Sequence, residues 1–311
     1  MKLAVIGAGG WVGSSATFHI AASGLVEEVV MIGSRQNVVE QHALDLQTAV
    51  SMLDVRVRWG TYEQLAGSHV VINAAGTPHI QERAEMLSRN ITLIKGISLK
   101  LKELCPEAIV ITATNPVDPL NYATWRLTGP DRRRVLGYSL NDSLRFREFV
   151  AAAKGVRVSE VEATVIGEHG STQVPLFSSV RINGEPVVFS EAEKARIRES
   201  RPKSFQRIEA LQKETGRTAG WTCAVGMAAL VRAIAENTGE VIPCSVVLAG
   251  EYGMTGLSMG VPVRLGKTGI QEIVEWELTS DELVDLEHSA DCLRAAARSV
   301  DEVIDAAKAQ A

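Results

Sequence analysis

The segment Val165-Ile166-Gly167-Glu168-His169-Gly170-Ser171-Thr172 sets a histidine between glycines in the second half of a 311-residue chain. Histidine is the side chain whose proton equilibrium lies nearest neutrality, which suits it to general acid/base work. A lone histidine is more often structural than catalytic, so its meaning depends on what precedes it. Near the start of the chain lies Gly7-Ala8-Gly9-Gly10-Trp11-Val12-Gly13, after a strand-like run and before a helical pattern. Glycines there let the backbone turn sharply, approach a pyrophosphate and pack the helix against the sheet. The helix N-terminus then offers free N–H groups and a positive dipole end to phosphates. A dinucleotide half with a poised imidazole is the minimum equipment for moving a hydride and a proton at one carbon–oxygen bond.

The residues that end the second strand, Gly33-Ser34-Arg35, bear on which dinucleotide is held. An NAD site usually has an acidic side chain about 20 residues past the glycines, accepting from the ribose 2′-OH. Here glycine makes room, serine donates a hydrogen bond and arginine supplies charge, so the expected cofactor is NADP(H). The alternative is a solvated loop arginine in an enzyme that uses NAD. A second glycine pair, Gly260 and Gly266 before Lys267-Thr268, resembles a phosphate-binding loop but has five intervening residues where that motif has four, and is expected to be a structural turn.

The elements that must position these residues follow from periodicity. Apolar, Val/Ile-rich runs at 3–7, 28–33, 69–74, 108–112 and 134–137 alternate with helical patterns. This predicts an α/β fold: a Rossmann-type, doubly wound parallel sheet over residues 1–141. From 142 to 311 the pattern changes to an α+β substrate-binding, catalytic domain. It reads as a helix at 143–153, a strand at 161–166, a hairpin around Asn183-Gly184, a charged helical tract, an Ala-rich helix, a Gly-studded strand region and a long final helix. The final helix opens with Thr279 and Glu282 at capping-box spacing. Hydrophobic residues at 46%, charged residues at 22% and a net charge of −5 describe a globular protein with no basic surface for nucleic acid or anionic lipid. No secretory leader or membrane-spanning apolar run is evident, so a cytoplasmic location is expected. Cys105, Cys223, Cys244 and Cys292 show no metal-ligand spacing and are expected to be buried, reduced thiols, with no metal site.

Thr114-Asn115-Pro116-Val117-Asp118, Asn141-Asp142-Ser143-Leu144-Arg145, the Gly-Glu-His-Gly segment, and Tyr252-Gly253 with Gly260-Val-Pro-Val263 occur in that order. This set resembles the lactate/malate dehydrogenase family over essentially the whole chain, with glycine spacing (Gly7, Gly10, Gly13) closer to the malate enzymes. The resemblance implies that His169 takes the hydroxyl proton of a 2-hydroxy acid as hydride departs, and returns it in reverse. It implies that Asp142 holds the imidazole in one tautomer, Arg145 clamps the substrate carboxylate, and Arg83 polarises the reacting carbonyl from a mobile loop. Asn115 would orient the nicotinamide or the reacting oxygen, and Thr218 matches a substrate-side hydroxyl. Cofactor contacts are implied at Gly7, Gly10, Trp11, Val12, Gly13, Gly33, Ser34, Arg35, Ala75, Gly76, Asn90, Thr114 and Asn115. The chain departs from the family between Gly76 and Arg83, which is about two residues short and lacks the usual substrate-discriminating arginine or glutamine. His79 and Arg217 are the candidate cations for a second substrate carboxylate, and Gln81 is also close. The substrate is then a 2-hydroxy/2-oxo acid, most readily malate/oxaloacetate, or lactate or another such acid with NAD. Apolar helix faces at 13–22 and 223–235, with the family's habit, imply a homodimer or homotetramer. His19, His42, His69 and His288 are expected to be structural.

Overall fold

The computed structural model describes residues 1–77, 83–129, 131–215 and 218–309. Six strands, β1 (Lys2–Ile6), β2 (Glu28–Ile32), β3 (Arg56–Trp59), β4 (Val70–Asn73), β5 (Ile109–Thr112) and β6 (Val135–Tyr138), pair in parallel in the order β3-β2-β1-β4-β5-β6. The intervening helices are α1 (Trp11–Ala22), α2 (Gln36–Ala49), α3 (Arg83–Leu104) and α4 (Val117–Thr128). Leu3, Val5, Val29, Met31 and Ile72 face one side of the sheet, and Ala4, Ile6, Val30 and Val71 face the other; all are essentially solvent-free. Burial on both faces is why these strands read as continuous apolar runs. The strand order reverses direction between β1 and β4, and the crevice outside the carboxyl ends there is where such sheets take ligands.

The second half contributes α5 (Leu140–Lys154) and five two-residue strands: β7 (Val161–Glu162), β8 (Val165–Ile166), β9 (Val174–Pro175), β10 (Arg181–Ile182) and β11 (Glu185–Pro186). There follow α6 (Glu191–Thr215), α7 (Trp221–Ala235), β12 (Val241–Ala249), β13 (Thr255–Gly266), β14 (Gly269–Ile273) and α8 (Ser280–Ala309). The expected strand at 161–166 is two pieces in different small sheets: β7 pairs β10, and β8 pairs β9. The hairpin at Asn183-Gly184 is present, with both residues at positive φ. Thr279 and Glu282 form the reciprocal cap of α8: Thr279 N–H donates to Glu282 Oε2 at 3.0 Å and Glu282 N–H to Thr279 Oγ1 at 3.3 Å. The glycine pair that resembles a phosphate loop lies in β13, and Gly266 faces Gly269 across the turn to β14.

Three features differ from expectation. Strand β3 was not anticipated, because only Val57 of its four residues is buried and an edge strand gives no apolar run. Helix α5 begins three residues earlier than the periodicity suggests, at Leu140. The sheet also does not stop at β6. It continues antiparallel through β12, β13 and β14 into nine strands, with Cys244 opposite Tyr138. The cysteines are all free thiols, yet only Cys105 and Cys244 are buried; Cys223 is half-buried and Cys292 is exposed on α8, where the helix's outer stripe needs no apolar side chain.

The junction of the two halves is tight at Gly226 of α7, where an added Cβ would lie 2.0 Å from Tyr138 Oη. That hydroxyl is locked in place, donating to Asn141 Oδ1 and facing Thr222 O at 3.2 Å. Gly226→Ala is therefore expected to lower stability by about 1–3 kcal/mol through overpacking, read as a shifted urea midpoint with unchanged slope.

Candidate active site

The glycine loop follows β1 directly. Gly7 sits at φ +83°, and its N–H and that of Ala8 donate to Ile32 O at 2.8 and 3.0 Å, tying the loop to the end of β2. A Cβ on Gly7 would lie 2.5 Å from Ala75 N, and one on Gly13 would lie 2.4 Å from Gly7 O. The loop thus crosses the switch point with no room for a side chain at Gly7 or Gly13, and Gly10, the N-cap of α1, makes no side-chain cap bond. A helix N-terminus in this position directs backbone N–H groups and a positive dipole end towards an anion. Beside it opens a cavity of about 440 Å³ lined by Gly9, Gly10, Trp11, Ser14, Arg35 and His42. These are the features a dinucleotide needs, so the residues present fit that cofactor. Gly33 has no room for a larger residue either: its Cβ would meet Val39 Cγ2 at 2.8 Å. Ser34 and Arg35 are exposed after β2, and Arg35 Nη2 reaches towards Gly9 O at 3.5 Å, holding the guanidinium over the glycine loop.

The opposite wall comes from the ends of β4 and β5. Thr114 is buried and donates through Oγ1 to Ala75 O at 2.6 Å. Asn90 of α3 is buried as well. Its Oδ1 accepts from Thr77 N–H at 2.9 Å and its Nδ2 donates to Asn115 O at 2.7 Å. Asn90 and Thr114 therefore act from within the protein, joining the loops after β4 and β5. Ala75 is half-buried and Val12 lies partly packed against the core, while Gly76 and Asn115 are exposed at the crest.

The imidazole is delivered from the second half. Gly167, at φ +82°, pairs with Gly260 of β13 through two backbone hydrogen bonds of 2.8 and 3.0 Å. Glu168 N–H donates to Ser289 Oγ of α8 at 2.7 Å, and His169 N–H donates to Asp118 Oδ2 of α4 at 2.7 Å. Three elements thus hold three consecutive residues. His169 Nδ1–H donates to Asp142 Oδ2 at 2.6 Å, which sets the neutral ring's proton on Nδ1. Asp142 lies in the first turn of α5 and is nearly solvent-free, and one turn on Arg145 places Nη1 3.6 Å from Asp142 Oδ1. Burial disfavours the charged imidazole, but the Asp142 charge and hydrogen bond, helped by Asp118, outweigh it and raise the His169 pKa above its usual 6.5. The chain therefore brings His169, Asp142 and Arg145 together, as the sequence suggests.

Thr218 is exposed, with Oγ1 accepting from Gln212 Nε2 at 3.0 Å. Two residues on, Gly220 packs against Trp11 O, where a Cβ would come within 2.7 Å. His79, Gln81 and Arg217 lie outside the described residues, as does the side chain of Arg83, the first residue of α3. The sequence reading gave no role to Asp118, Gly260 or Ser289. Asp118 stands in the quoted Asn-Pro-Val-Asp segment, which was a signal, whereas nothing in the helical pattern around Ser289 marks it. His42, expected to be structural, lines the cavity beside the glycine loop, with Nδ1 buried and lacking a hydrogen-bond partner among the described residues.

A glycine cradle for a dinucleotide in the first half, and a carboxylate-oriented histidine with an arginine beside it in the second, define a nucleotide-linked dehydrogenase. Comparison with known proteins agrees. Residues 1–137 match the NAD-binding domain of the lactate/malate dehydrogenases, and residues 140–304 match their alpha/beta C-terminal domain. A malate dehydrogenase of Halobacterium salinarum is 37% identical over 300 residues, covering 94% of this chain and 97% of its own. One of Nitrosococcus oceani is 33% identical over 302 residues, covering 94% and 96%. Among solved structures, a malate dehydrogenase of Cryptosporidium parvum superposes with a TM-score of 0.89 at 29% identity, covering 97% of this chain and 99% of that one. A lactate dehydrogenase of the same organism, complexed with lactic acid and nicotinamide adenine dinucleotide, has a TM-score of 0.88 at 29% identity, covering 96% and 98%. The chain belongs to the lactate/malate dehydrogenase family. Among the described residues no helix is long and apolar enough to cross a membrane.

Proposed function

We propose that this protein is an NADP(H)-linked malate dehydrogenase, cytoplasmic and a homodimer or homotetramer, in which residues 1–141 bind the dinucleotide and 142–311 bind the substrate and carry the acid/base. The observation that carries this reading is the 2.6 Å Asp142–His169 hydrogen bond with Arg145 one helical turn away. His169 Nε2 gives a proton to the oxygen of a 2-oxo acid in reduction and takes it back from the 2-hydroxy acid in oxidation. Asp142 fixes the tautomer and stabilises the imidazolium. Arg145 pairs with the carboxylate next to the reacting carbon through its planar fork. The nicotinamide, when bound, supplies the hydride acceptor or donor. Gly7, Gly10, Trp11, Val12 and Gly13 take the pyrophosphate side, and Gly33, Ser34 and Arg35 the adenosine ribose. Ala75, Gly76, Asn90, Thr114 and Asn115 shape the nicotinamide side, with Asn115 orienting the ring or the reacting oxygen. Arg83 polarises the carbonyl, and Thr218 lines the substrate pocket.

Malate is favoured by the names of the relatives at 33–38% identity. Its second carboxylate requires a cation, for which His79 and Arg217 are the candidates. NADP(H) is favoured by the absence of a carboxylate in Gly33-Ser34-Arg35, since an acidic side chain there would repel a 2′-phosphate. Lactate with NAD is the second reading, because the lactate dehydrogenase neighbour superposes about as well as the malate ones.

A steady-state panel of oxaloacetate, pyruvate and bulkier 2-oxo acids against NADPH and NADH tests both choices. Pyruvate lacks the second carboxylate and leaves the site's cation without its partner, a cost of about 3 kcal/mol, so kcat/KM for oxaloacetate is expected to exceed that for pyruvate by about 10²-fold. A higher kcat/KM for pyruvate overturns malate; tenfold better use of NADH overturns NADP(H).

A further inference from the structure

We propose that Asp118 is a positioning residue for the acid/base: it anchors the His169 backbone and serves as a second negative charge that stabilises the His169 imidazolium. This rests on the assignment of His169 as the proton donor and acceptor. Asp118 occupies the first turn of α4 and is fully buried. Its Oδ2 accepts from His169 N–H at 2.7 Å, whereas Oδ1 is buried without a hydrogen-bond partner. The Ser245 hydroxyl beside it lies 2.9 Å from Ser258 Oγ. Asn121, one turn along α4, donates through Nδ2 to Ser258 Oγ and Ser245 O at 3.0 and 3.1 Å, and its own Oδ1 has no partner.

Among the described residues no lysine or arginine pairs with this buried carboxylate, and the Ser245 hydroxyl and the His169 N–H are the hydrogen-bonding groups that offset the cost of its charge. The charged or titratable groups that face it among the described residues are His169 and Glu168. His169 is thus its one candidate counter-ion there, and it also faces Asp142 and Arg145. The carboxylates act from two directions: Asp142 holds the ring at Nδ1, and Asp118 holds the main chain from which the ring hangs. Burial pushes the Asp118 carboxyl up to about 6, and because the carboxylate and the imidazolium carry opposite charges, ionisation of each favours ionisation of the other.

The test compares Asp118→Asn and Asp118→Ala with the parent full-length chain. Asn keeps an oxygen for the His169 N–H and the size of the carboxylate, and its amide can donate to the Ser245 hydroxyl, so D118N is expected to fold with dinucleotide affinity intact. Losing the charge lowers the imidazole pKa, by about one unit for a charge at this range. In malate oxidation, which needs neutral His169, the acid limb of kcat/KM moves to lower pH by that amount. In oxaloacetate reduction, which needs the imidazolium, the alkaline limb moves the same way. D118A also removes the anchor, and kcat is expected to fall about tenfold further at every pH. A merely structural Asp118 would change melting without moving either limb.

An NMR titration of the His169 imidazole in parent and D118N reads the same shift without turnover. Identical titrations, or a D118A kcat equal to that of D118N, overturn the proposal. A downward NMR shift in a protein that reduces no 2-oxo acid keeps the role of Asp118 and overturns only the functional reading.

Discussion

His169→Ala is expected to lower kcat for 2-oxo acid reduction by about 10²–10⁴-fold, the usual worth of a positioned general acid. Dinucleotide affinity should stay within about twofold of the parent. The two effects separate because the two sites are built from different parts of the chain. The nucleotide cradle uses Gly7 to Gly13 and the ends of β2, β4 and β5, whereas His169 is fixed by β13, α8 and α4. Removing the imidazole leaves those backbone anchors in place, so the loop keeps its path while Nε2 is lost. Stopped-flow reduction and fluorescence titration with the dinucleotide measure the two quantities. Retained turnover would mean that another group carries the proton.

Asp142→Asn is expected to be nearly as damaging, with a different signature. The amide keeps the size of the carboxylate but loses its charge, and it can present either oxygen or NH₂ to His169 Nδ1. The tautomer is then no longer fixed, and the imidazolium loses its nearest counter-charge, now 2.6 Å away. A loss of about 10²–10³-fold in kcat at neutral pH is expected, with the His169 pKa lowered. Oxaloacetate reduction should weaken first as pH rises, and the acid limb of malate oxidation should move down.

The same substitution has a consequence for folding. Because the folded-state pKa of His169 lies above its usual 6.5, the charged pair adds stability that is complete below about pH 6.5. That stability is lost as pH rises through the folded value. Parent and D142N melting temperatures should therefore differ most at mildly acidic pH and converge above neutrality. A constant difference from pH 5 to 9 would show that the pair contributes no linkage.

Much of the parallel sheet was legible because local rules and the fold agree. Five of its six parallel strands are buried on both faces and read as Val/Ile runs, and the glycine loop shows itself through residues that cannot carry a Cβ. Asp142 and Arg145 were legible because a spacing of three places both on one side of a helix. Strand β3 escaped notice because an edge strand with one buried residue has no periodicity to detect. The start of α5 was placed late because its first turn is buried polar sequence, Asn141-Asp142-Ser143, which resembles a loop when read alone.

Residue type and local spacing determined the nucleotide cradle, the helix carrying the carboxylate and arginine, and the identity of the histidine, since each depends on neighbours within a few positions. Tertiary structure decided what depends on partners far along the chain. It joined β12 to β6, making one nine-stranded sheet of what reads as two separate patterns. It brought Asp118, Gly260 and Ser289 to three consecutive residues around the imidazole, across separations of 51 to 121 positions. Hydrogen bonds that span such distances leave no periodic trace in sequence, because each partner needs only to be a small or polar residue where the fold happens to put it.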